Sequence, residues 1–152
     1  MPDELDFAAA AACSCGTGTA FHAVKRIQPT GLDTVAIFGQ GPVGLSATMF
    51  AAQMGARVIA VDISPYRLRL AEELGADEVI NSSDTNVEEA IREITGGEGA
   101  DSTLDATGIP EVRIQAVDSA KYWGKVCFVG EGNTTTFDVS PQIIHKQLTI
   151  LG

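Results

Sequence analysis

The amino-acid sequence predicts an α/β fold, a doubly wound parallel sheet of six strands with helices on both faces. Two observations predict it. Short apolar runs alternate along most of the chain with segments that are long enough for helices. Glycine or proline stands near the end of most of these segments, so the connections are short. Strands and helices that alternate in this way form a parallel sheet, and right-handed crossovers cover both of its faces.

A leading segment precedes this alternation. The chain opens with an acidic, irregular stretch, and the alanine run at residues 8–12 can form a helical turn. Residues 13–19 contain two glycines and are expected to break that turn. A helix is expected at residues 20–27, where apolar side chains recur at a spacing of three. We therefore assign residues 1–28 to a junction segment with a leading helix.

Residues 29–152 form the predicted sheet domain. Its main strands are expected at residues 34–38, 57–61, 78–80, 102–105, 125–129 and 148–151. Its helices are expected at residues 42–54, 65–74, 87–94, 110–120 and 141–146. Ser64 is suited to cap the start of the second of these helices, and Gly75 to end it. One more short strand is predicted at residues 137–139.

A glycine pattern of the form GxGxxG follows the first strand and opens the first helix of this domain. Gly39 allows a tight turn, Gly41 lets the backbone approach a pyrophosphate, and Gly44 lets the helix pack closely on the strand. Pro42 suits the first helical turn, whose free N–H groups favour phosphate. Asp62 lies 18 residues after Gly44 at the end of the second strand, where an acid binds ribose hydroxyls. The pattern predicts a dinucleotide-binding (Rossmann) fold.

The residue at the ribose position favours NAD. The Asp62 carboxylate can bind the two ribose hydroxyls of NAD and would repel the 2′-phosphate of NADP. An arginine directly after it would favour NADP, but Ile63 stands there. Arg67 can reach the ribose edge from the next helix, or it is a solvated helix charge. FAD uses the same glycine pattern and ranks lower, because it usually occurs in a larger chain.

Composition excludes several other classes of protein. The net charge is −10, which argues against a nucleic-acid partner. No apolar run approaches the ~18–20 residues that cross a bilayer, so no membrane partner is expected. The alanine run is short and follows acids, unlike a secretory signal. Three cysteines without a disulfide pattern suggest a reducing compartment, and we expect a cytoplasmic protein.

Several motifs in register resemble one family, the zinc-containing alcohol dehydrogenases of the medium-chain dehydrogenase/reductase superfamily. The resemblance covers essentially the whole chain. It runs through CGTGTA at residues 15–20, GQGPVG at 39–44, VDI at 61–63, ELGAD at 73–77, DATG at 105–108 and LTILG at 148–152. It implies that this chain is the cofactor-binding half only. Family members carry an N-terminal catalytic domain before this point, so the resemblance implies that this chain lacks that domain.

The same resemblance implies roles for several residues. Cys15 matches the third ligand of the catalytic zinc, whose other protein ligands belong to the absent domain. Alone it would hold no metal, because a catalytic site needs about three protein ligands. The alternative interpretation of Cys15 is a small buried residue without a metal role. Thr19 would face the nicotinamide and Val43 would pack behind it. The backbone of four further residues would line the rest of the cofactor cleft, namely Thr107, Gly108, Val129 and Gly130.

The remaining candidates have more ordinary interpretations. Cys13 forms a Cys-x-Cys pair with Cys15, but its spacing to Thr19 fits the ligand position less well. Cys127 lies in a predicted strand and is assigned to the core. His22 and His145 are taken as structural or surface residues, and Trp123 as a packing residue. The segment at residues 135–139 resembles the edge through which family members pair, so we expect a homodimer there.

Three functions remain open. The first is an oxidoreductase module of a complete, zinc-containing enzyme. That enzyme would transfer hydride from an alcohol to NAD, or in reverse from NADH to a carbonyl compound. The second is a zinc-free, NADP-dependent reductase of the same superfamily, which Cys15 and Asp62 argue against. The third is a stand-alone NAD-binding module without chemistry. This chain contains no convincing acid–base or nucleophile–base set, so by itself we expect it to be inactive.

Overall fold

Six parallel strands form one sheet, as the sequence predicted. The structure is a computed structural model, and it describes Pro2 and residues 5–152. The strands are β1 Thr34–Phe38, β2 Arg57–Asp62, β3 Glu78–Asn81, β4 Ala100–Asp105, β5 Ala120–Phe128 and β6 Thr149–Leu151. Their order across the sheet is β3-β2-β1-β4-β5-β6, and every neighbouring pair is parallel. The strand order therefore reverses between β1 and β4.

Helices pack on both faces of this sheet. They are α1 Phe7–Ala12, α2 Gly18–Ile27, α3 Pro42–Gln53, α4 Pro65–Glu73, α5 Val87–Ile94 and α6 Pro110–Ser119. Helices α2 and α3 cover one face and α5 and α6 the other, while α4 packs beside α3. The predicted caps of α4 are confirmed. The Ser64 hydroxyl accepts from the Arg67 backbone N–H, and Gly75 has a φ of +106°.

The central strand β1 divides the core between the two faces. Val35 and Ile37 join the cluster under α2 and α3, whereas Ala36 and Phe38 join the cluster under α5 and α6. Because side chains alternate along a strand, a strand buried on both faces is apolar throughout. This explains why the sequence of β1 is continuously hydrophobic. None of the helices in the described part of the chain is long and apolar enough to cross a membrane.

The predicted break at residues 13–19 is wrong. The chain stays helical from Phe7 to Ile27, with a π-helical turn, Cys13–Thr17, between α1 and α2. A Cβ on Gly18 would lie 2.9 Å from the Cys13 carbonyl oxygen, so glycine accommodates the wider turn instead of ending the helix. Three residues that follow the turn, Ala20, Ala23 and Val24, are buried in the core. Their packing outweighs the weak helix propensity of the glycines.

The predicted strand at residues 137–139 does not form in the single chain. No residue from Asn133 to Asp138 is in a strand, and a π-helical turn, Ser140–Ile144, follows. Phe137 instead stacks on Phe128, with 5.9 Å between ring centroids. A strand needs a neighbour to satisfy its backbone groups, and none of the described strands runs beside this segment.

Trp123, predicted to be a packing residue, is mostly exposed. It is 72% exposed, and it lies inside β5 with a φ of +59°. The Trp123 indole N–H donates to Gln147 Oε1 at 3.1 Å, so the side chain is held to the segment before β6 and not to the core. The assignment of Cys127 to the core is confirmed, since this residue is 2% exposed. His22 and His145 are both exposed.

Candidate functional site

A cleft opens at the carboxyl ends of β1 and β4, where the strand order reverses. This is the position at which open α/β sheets bind ligands. The cleft is lined by the turn after β1, the end of β2, the start of α4 and the turn after β4. Five of the predicted cofactor-binding residues line it: Gly39, Gly41, Asp62, Arg67 and Thr107.

The three glycines in the turn differ in what a Cβ at each position would meet. Gly39 has a φ of +86°, and a Cβ on it would lie 2.5 Å from the Thr107 methyl carbon. A Cβ on Gly44 would lie 1.7 Å from the Gly39 carbonyl oxygen, so α3 can approach β1 only with glycine there. A Cβ on Gly41 would meet nothing within 4 Å and would project into open space. The space beside the Gly41 Cα is therefore open to a ligand.

Asp62 is buried, and backbone N–H groups fix its orientation. Its Oδ2 accepts from the Gln40 N–H at 2.6 Å, and its Oδ1 accepts from the Ser64 N–H at 2.8 Å. Only 6% of the residue is exposed, yet it lines the cleft. Each carboxylate oxygen has a second lone pair that can accept from a ligand hydroxyl. The carboxylate is thus held rigidly where an acceptor for hydroxyls was predicted.

Sequence analysis missed Gln40, which supports Asp62. Gln40 is fully buried, its Nε2 donates to the Ile37 carbonyl at 2.9 Å, and its Oε1 accepts from the Thr48 hydroxyl at 2.9 Å. These bonds tie the glycine turn to β1 and α3 and aim the Gln40 N–H at Asp62. An amide side chain between two glycines, directly after a buried strand, was the available signal.

Arg67 stands at the rim of the cleft. One guanidinium nitrogen lies 3.8 Å from Asp62 Oδ2, and the Arg67 side chain is 52% exposed. A half-exposed arginine at this distance from a carboxylate stabilises the fold little. The guanidinium is consequently free to contact a ligand that occupies the space beside Asp62.

The turn after β4 is built on Asp105. This carboxylate is fully buried, and its Oδ1 accepts from the backbone N–H and the hydroxyl of Thr107 at 2.9 and 2.6 Å. Its Oδ2 accepts from the Gly108 N–H at 3.2 Å and faces the Arg113 guanidinium. Thr107 is thereby held against the cleft. Arg113 is the second residue that sequence analysis missed, and its signal was that it is the one cation of helix α6.

Of the other residues predicted to line the cofactor cleft, two line a second cleft and one lines neither. Val129 and Gly130 line a second cleft, together with Thr19 and His22 of α2. Gly108 lines neither cleft. A Cβ on Gly108 would lie 2.3 Å from the Glu131 carbonyl oxygen, and one on Gly130 would lie 2.0 Å from the Gly108 nitrogen. The two glycines therefore let the turns after β4 and β5 approach each other.

The π-helical turn places the predicted metal and nicotinamide residues near the start of α3. A Cβ on Gly16 would lie 3.7 Å from a Val43 methyl carbon, and the hydroxyls of Thr17 and Ser46 are 3.3 Å apart. Cys15 and Thr19 flank these contacts, and both are exposed. Val43 is partly buried beside them. Wide turns of this kind inside helices often occur at functional sites.

Within the described residues, no three His, Cys, Asp or Glu side chains are close enough together to hold a metal ion. Cys15 has an exposed thiol and can supply one ligand to a zinc site that other residues complete. Cys127 is unsuited to that role. Burial raises the pKa of its thiol, so it stays protonated within the core. The described residues therefore fit zinc only if Cys15 supplies one ligand and residues outside this chain supply the others.

The strand order, the glycine turn and the cleft at the reversal of strand order define a Rossmann-type fold. Comparison with known proteins agrees, because the model of the zinc-binding dehydrogenase family matches residues 42–152. The chain belongs to that family. An uncharacterized zinc-type alcohol dehydrogenase-like protein of Escherichia coli K12 is 39% identical over the whole chain and 43% of its own length. The erythritol/L-threitol dehydrogenase of Mycolicibacterium smegmatis is 39% identical over 86% of the chain and 37% of its own length.

Solved structures give the same result for the fold. Benzyl alcohol dehydrogenase from Acinetobacter calcoaceticus superposes with a TM-score of 0.92 at 37% identity, covering 100% of this chain and 43% of that enzyme. The alcohol dehydrogenase of Thermotoga maritima gives 0.91 at 34% identity, covering 100% and 44%. The chain thus spans less than half the length of these relatives. The predicted resemblance to zinc-type alcohol dehydrogenases is confirmed.

Proposed function

We propose that this chain binds NAD for a dehydrogenase that oxidises an alcohol or reduces the matching carbonyl compound. The observation that carries the proposal is the buried Asp62 carboxylate, which two backbone N–H groups hold at the rim of the cleft. Its free lone pairs match the two adenosine ribose hydroxyls. A 2′-phosphate would meet this fixed negative charge at close range, so NADP is disfavoured.

The rest of the cofactor fits the neighbouring elements. The start of α3 presents free N–H groups toward the open side of Gly41, which suits a pyrophosphate. The second cleft, with Thr19, Val129 and Gly130, suits the nicotinamide half. When bound, NAD supplies the hydride acceptor and zinc would polarise the alcohol oxygen. This chain orients the dinucleotide and offers Cys15 toward the metal. We expect no turnover from the chain by itself.

Titration calorimetry with NADH and then NADPH tests the proposal. We expect NADH to bind at least about tenfold more tightly, since the charge of Asp62 acts against the extra phosphate. Equal binding would contradict the assigned role of Asp62. Tighter binding of NADPH would favour the reductase alternative. Absence of binding by either nucleotide would contradict the proposed cofactor cleft.

We also propose that two copies of the chain pair through residues 135–139 and the free edge of β6. Strand β6 pairs with β5 on one side only, and three apolar side chains near this edge are exposed, namely Val139, Ile144 and Ile150. A free edge with apolar neighbours is a pairing surface. The segment that forms no strand in one chain would gain its missing neighbour from the second copy.

Val139→Asp is expected to convert this dimer to a monomer. The new charge would be buried without a partner between the two copies, which is costly. The matched control is Leu32→Asp, because Leu32 is 96% exposed on the turn before β1. Sedimentation velocity should show a dimer for the wild type and for Leu32→Asp. A wild-type monomer, or dimeric Val139→Asp, would contradict the proposal.

A further inference from the structure

The side chain of Arg113 bonds to four acceptors in the segment that follows β5. Nη2 donates to the carbonyls of Gly130 and Gly132 at 2.7 and 2.8 Å. Nη1 donates to the Asn133 carbonyl and to the Thr135 hydroxyl, each at 3.3 Å. Only 13% of the Arg113 side chain is exposed. One guanidinium thus fixes the path of the backbone from residue 130 to residue 135.

The other edge of the guanidinium faces the turn after β4. Nε lies 3.5 Å from Oδ2 of the fully buried Asp105, and it makes no hydrogen bond within the described residues. The same carboxylate holds Thr107 and Gly108 through their backbone N–H groups. Arg113 and Asp105 therefore form a bridge of opposite charges between the turns after β4 and β5.

These two turns line different clefts. Thr107 lines the cleft that contains Asp62, and Gly130 lines the second cleft beside Thr19. Arg113 lines neither, so it can influence a ligand only through the backbone that it holds. Backbone hydrogen bonds from Val129 and Gly130 to the Asp105 carbonyl already join the two turns. The bridge adds a side-chain constraint on the segment beyond Gly130, and so on the position of the second cleft relative to the first.

We propose that Arg113 is a positioning residue that aligns the nicotinamide half of the site with the adenosine half. The inference rests on the proposed function, because it assumes that one dinucleotide spans both clefts. Correct alignment matters for a ligand that must reach both halves at once. It matters little for a ligand that occupies only the first cleft.

The role requires arginine in particular. Its planar guanidinium offers five donors in a fixed fork. Here the fork donates to three carbonyls and a hydroxyl, and its Nε edge faces a carboxylate. Lysine would keep a positive charge near Asp105, but its single ammonium cannot reach all of these acceptors. The turns would remain in contact, because Asn133 Nδ2 also donates to the Gly108 carbonyl at 2.9 Å. Arg113→Lys therefore removes the alignment while leaving the charge pair.

The test compares NADH with 5′-ADP, which lacks the nicotinamide nucleoside, by titration calorimetry. In Arg113→Lys we expect the Kd for NADH to rise about tenfold and the Kd for ADP to change less than about twofold. Arg69→Lys is the matched control, since Arg69 lies exposed on α4 beside Tyr66. It should leave both values unchanged.

Other outcomes separate the possible failures. Equal weakening of NADH and ADP in Arg113→Lys would indicate a general structural role and overturn the inference. Unchanged NADH binding would overturn it as well. If the wild-type chain binds ADP and NADH equally, the second cleft contributes nothing and the inference fails. If the wild type binds neither, the proposed function itself fails.

A second variant guards against loss of folding in Arg113→Lys. Asp105→Asn combined with Arg113→Gln removes both charges, so that neither is left buried without a partner. This double variant also loses the fork that holds residues 130–135. In Asp105→Asn one backbone N–H of the turn after β4 also loses its acceptor, so ADP binding should weaken too, but NADH should weaken more than ADP. A ratio equal to that of the wild type would overturn the inference.

Discussion

Gly44→Ala is expected to destabilise the fold by about 3 kcal/mol or more, because its methyl group would overlap backbone that cannot move easily. The new Cβ would lie 1.7 Å from the carbonyl oxygen of Gly39 and 2.8 Å from its carbonyl carbon. Relief requires α3 to move away from β1. That movement would open the core around Ala47 and Ala51, which are both fully buried. Urea unfolding measures the change in free energy.

Gly41→Ala is the matched control, with the opposite expected profile. Gly41 has a φ of −74° and a ψ of −172°, which alanine adopts without strain, and its Cβ would touch nothing within 4 Å. We expect the free energy of unfolding to change by less than about 0.5 kcal/mol. NADH binding should nevertheless weaken at least about tenfold, because the methyl group would occupy the approach to the pyrophosphate. Equal stability of the two variants would contradict the assigned role of Gly44.

Asp62→Asn is expected to remove most of the discrimination between NADH and NADPH. The neutral amide loses charge-assisted bonds to the ribose hydroxyls, each worth about 1.5–3 kcal/mol, so NADH should bind roughly 10- to 100-fold more weakly. The repulsion of the 2′-phosphate disappears at the same time, and Arg67 remains beside the site. The ratio of the two Kd values should therefore fall to within about threefold of unity.

Folding must be measured alongside Asp62→Asn, because two backbone N–H groups donate to this carboxylate. The amide oxygen can replace one acceptor but not both. We expect a loss of stability of about 1–3 kcal/mol for the donor left unpaired. Glu72→Gln, on the exposed side of α4, is the control for loss of one negative charge. An unchanged preference for NADH in Asp62→Asn would contradict the proposed role of this residue.

Local chemistry made the fold and the first cleft predictable. The glycines at positions 39 and 44 are required by backbone contacts between neighbouring elements, so their spacing already encodes a strand–turn–helix unit. Asp62 ends a strand that is buried from Val58 onward, which places its carboxylate at the carboxyl edge of the sheet. Both features follow from short stretches of sequence. The predicted Rossmann fold followed from them.

The errors arose where long-range packing decides the local structure. The glycines at positions 16 and 18 suggested a break, but burial of α2 against α3 keeps the chain helical. Residues 137–139 have the composition of a strand, yet no described strand lies beside them. The roles of Gln40 and Arg113 depend on partners from separate elements. Each residue has a local signal, an amide between two glycines and one cation in α6, but neither signal identifies the partners.

The most direct test of the account is a crystal structure of this chain with NADH. The account predicts density for the dinucleotide across the carboxyl ends of β1 and β4. The adenosine ribose hydroxyls should lie within about 3.2 Å of the Asp62 carboxylate oxygens, a hydrogen-bond distance. The pyrophosphate should lie beside Gly41 at the start of α3. NADH bound elsewhere, or a ribose that does not contact Asp62, would contradict the central claim.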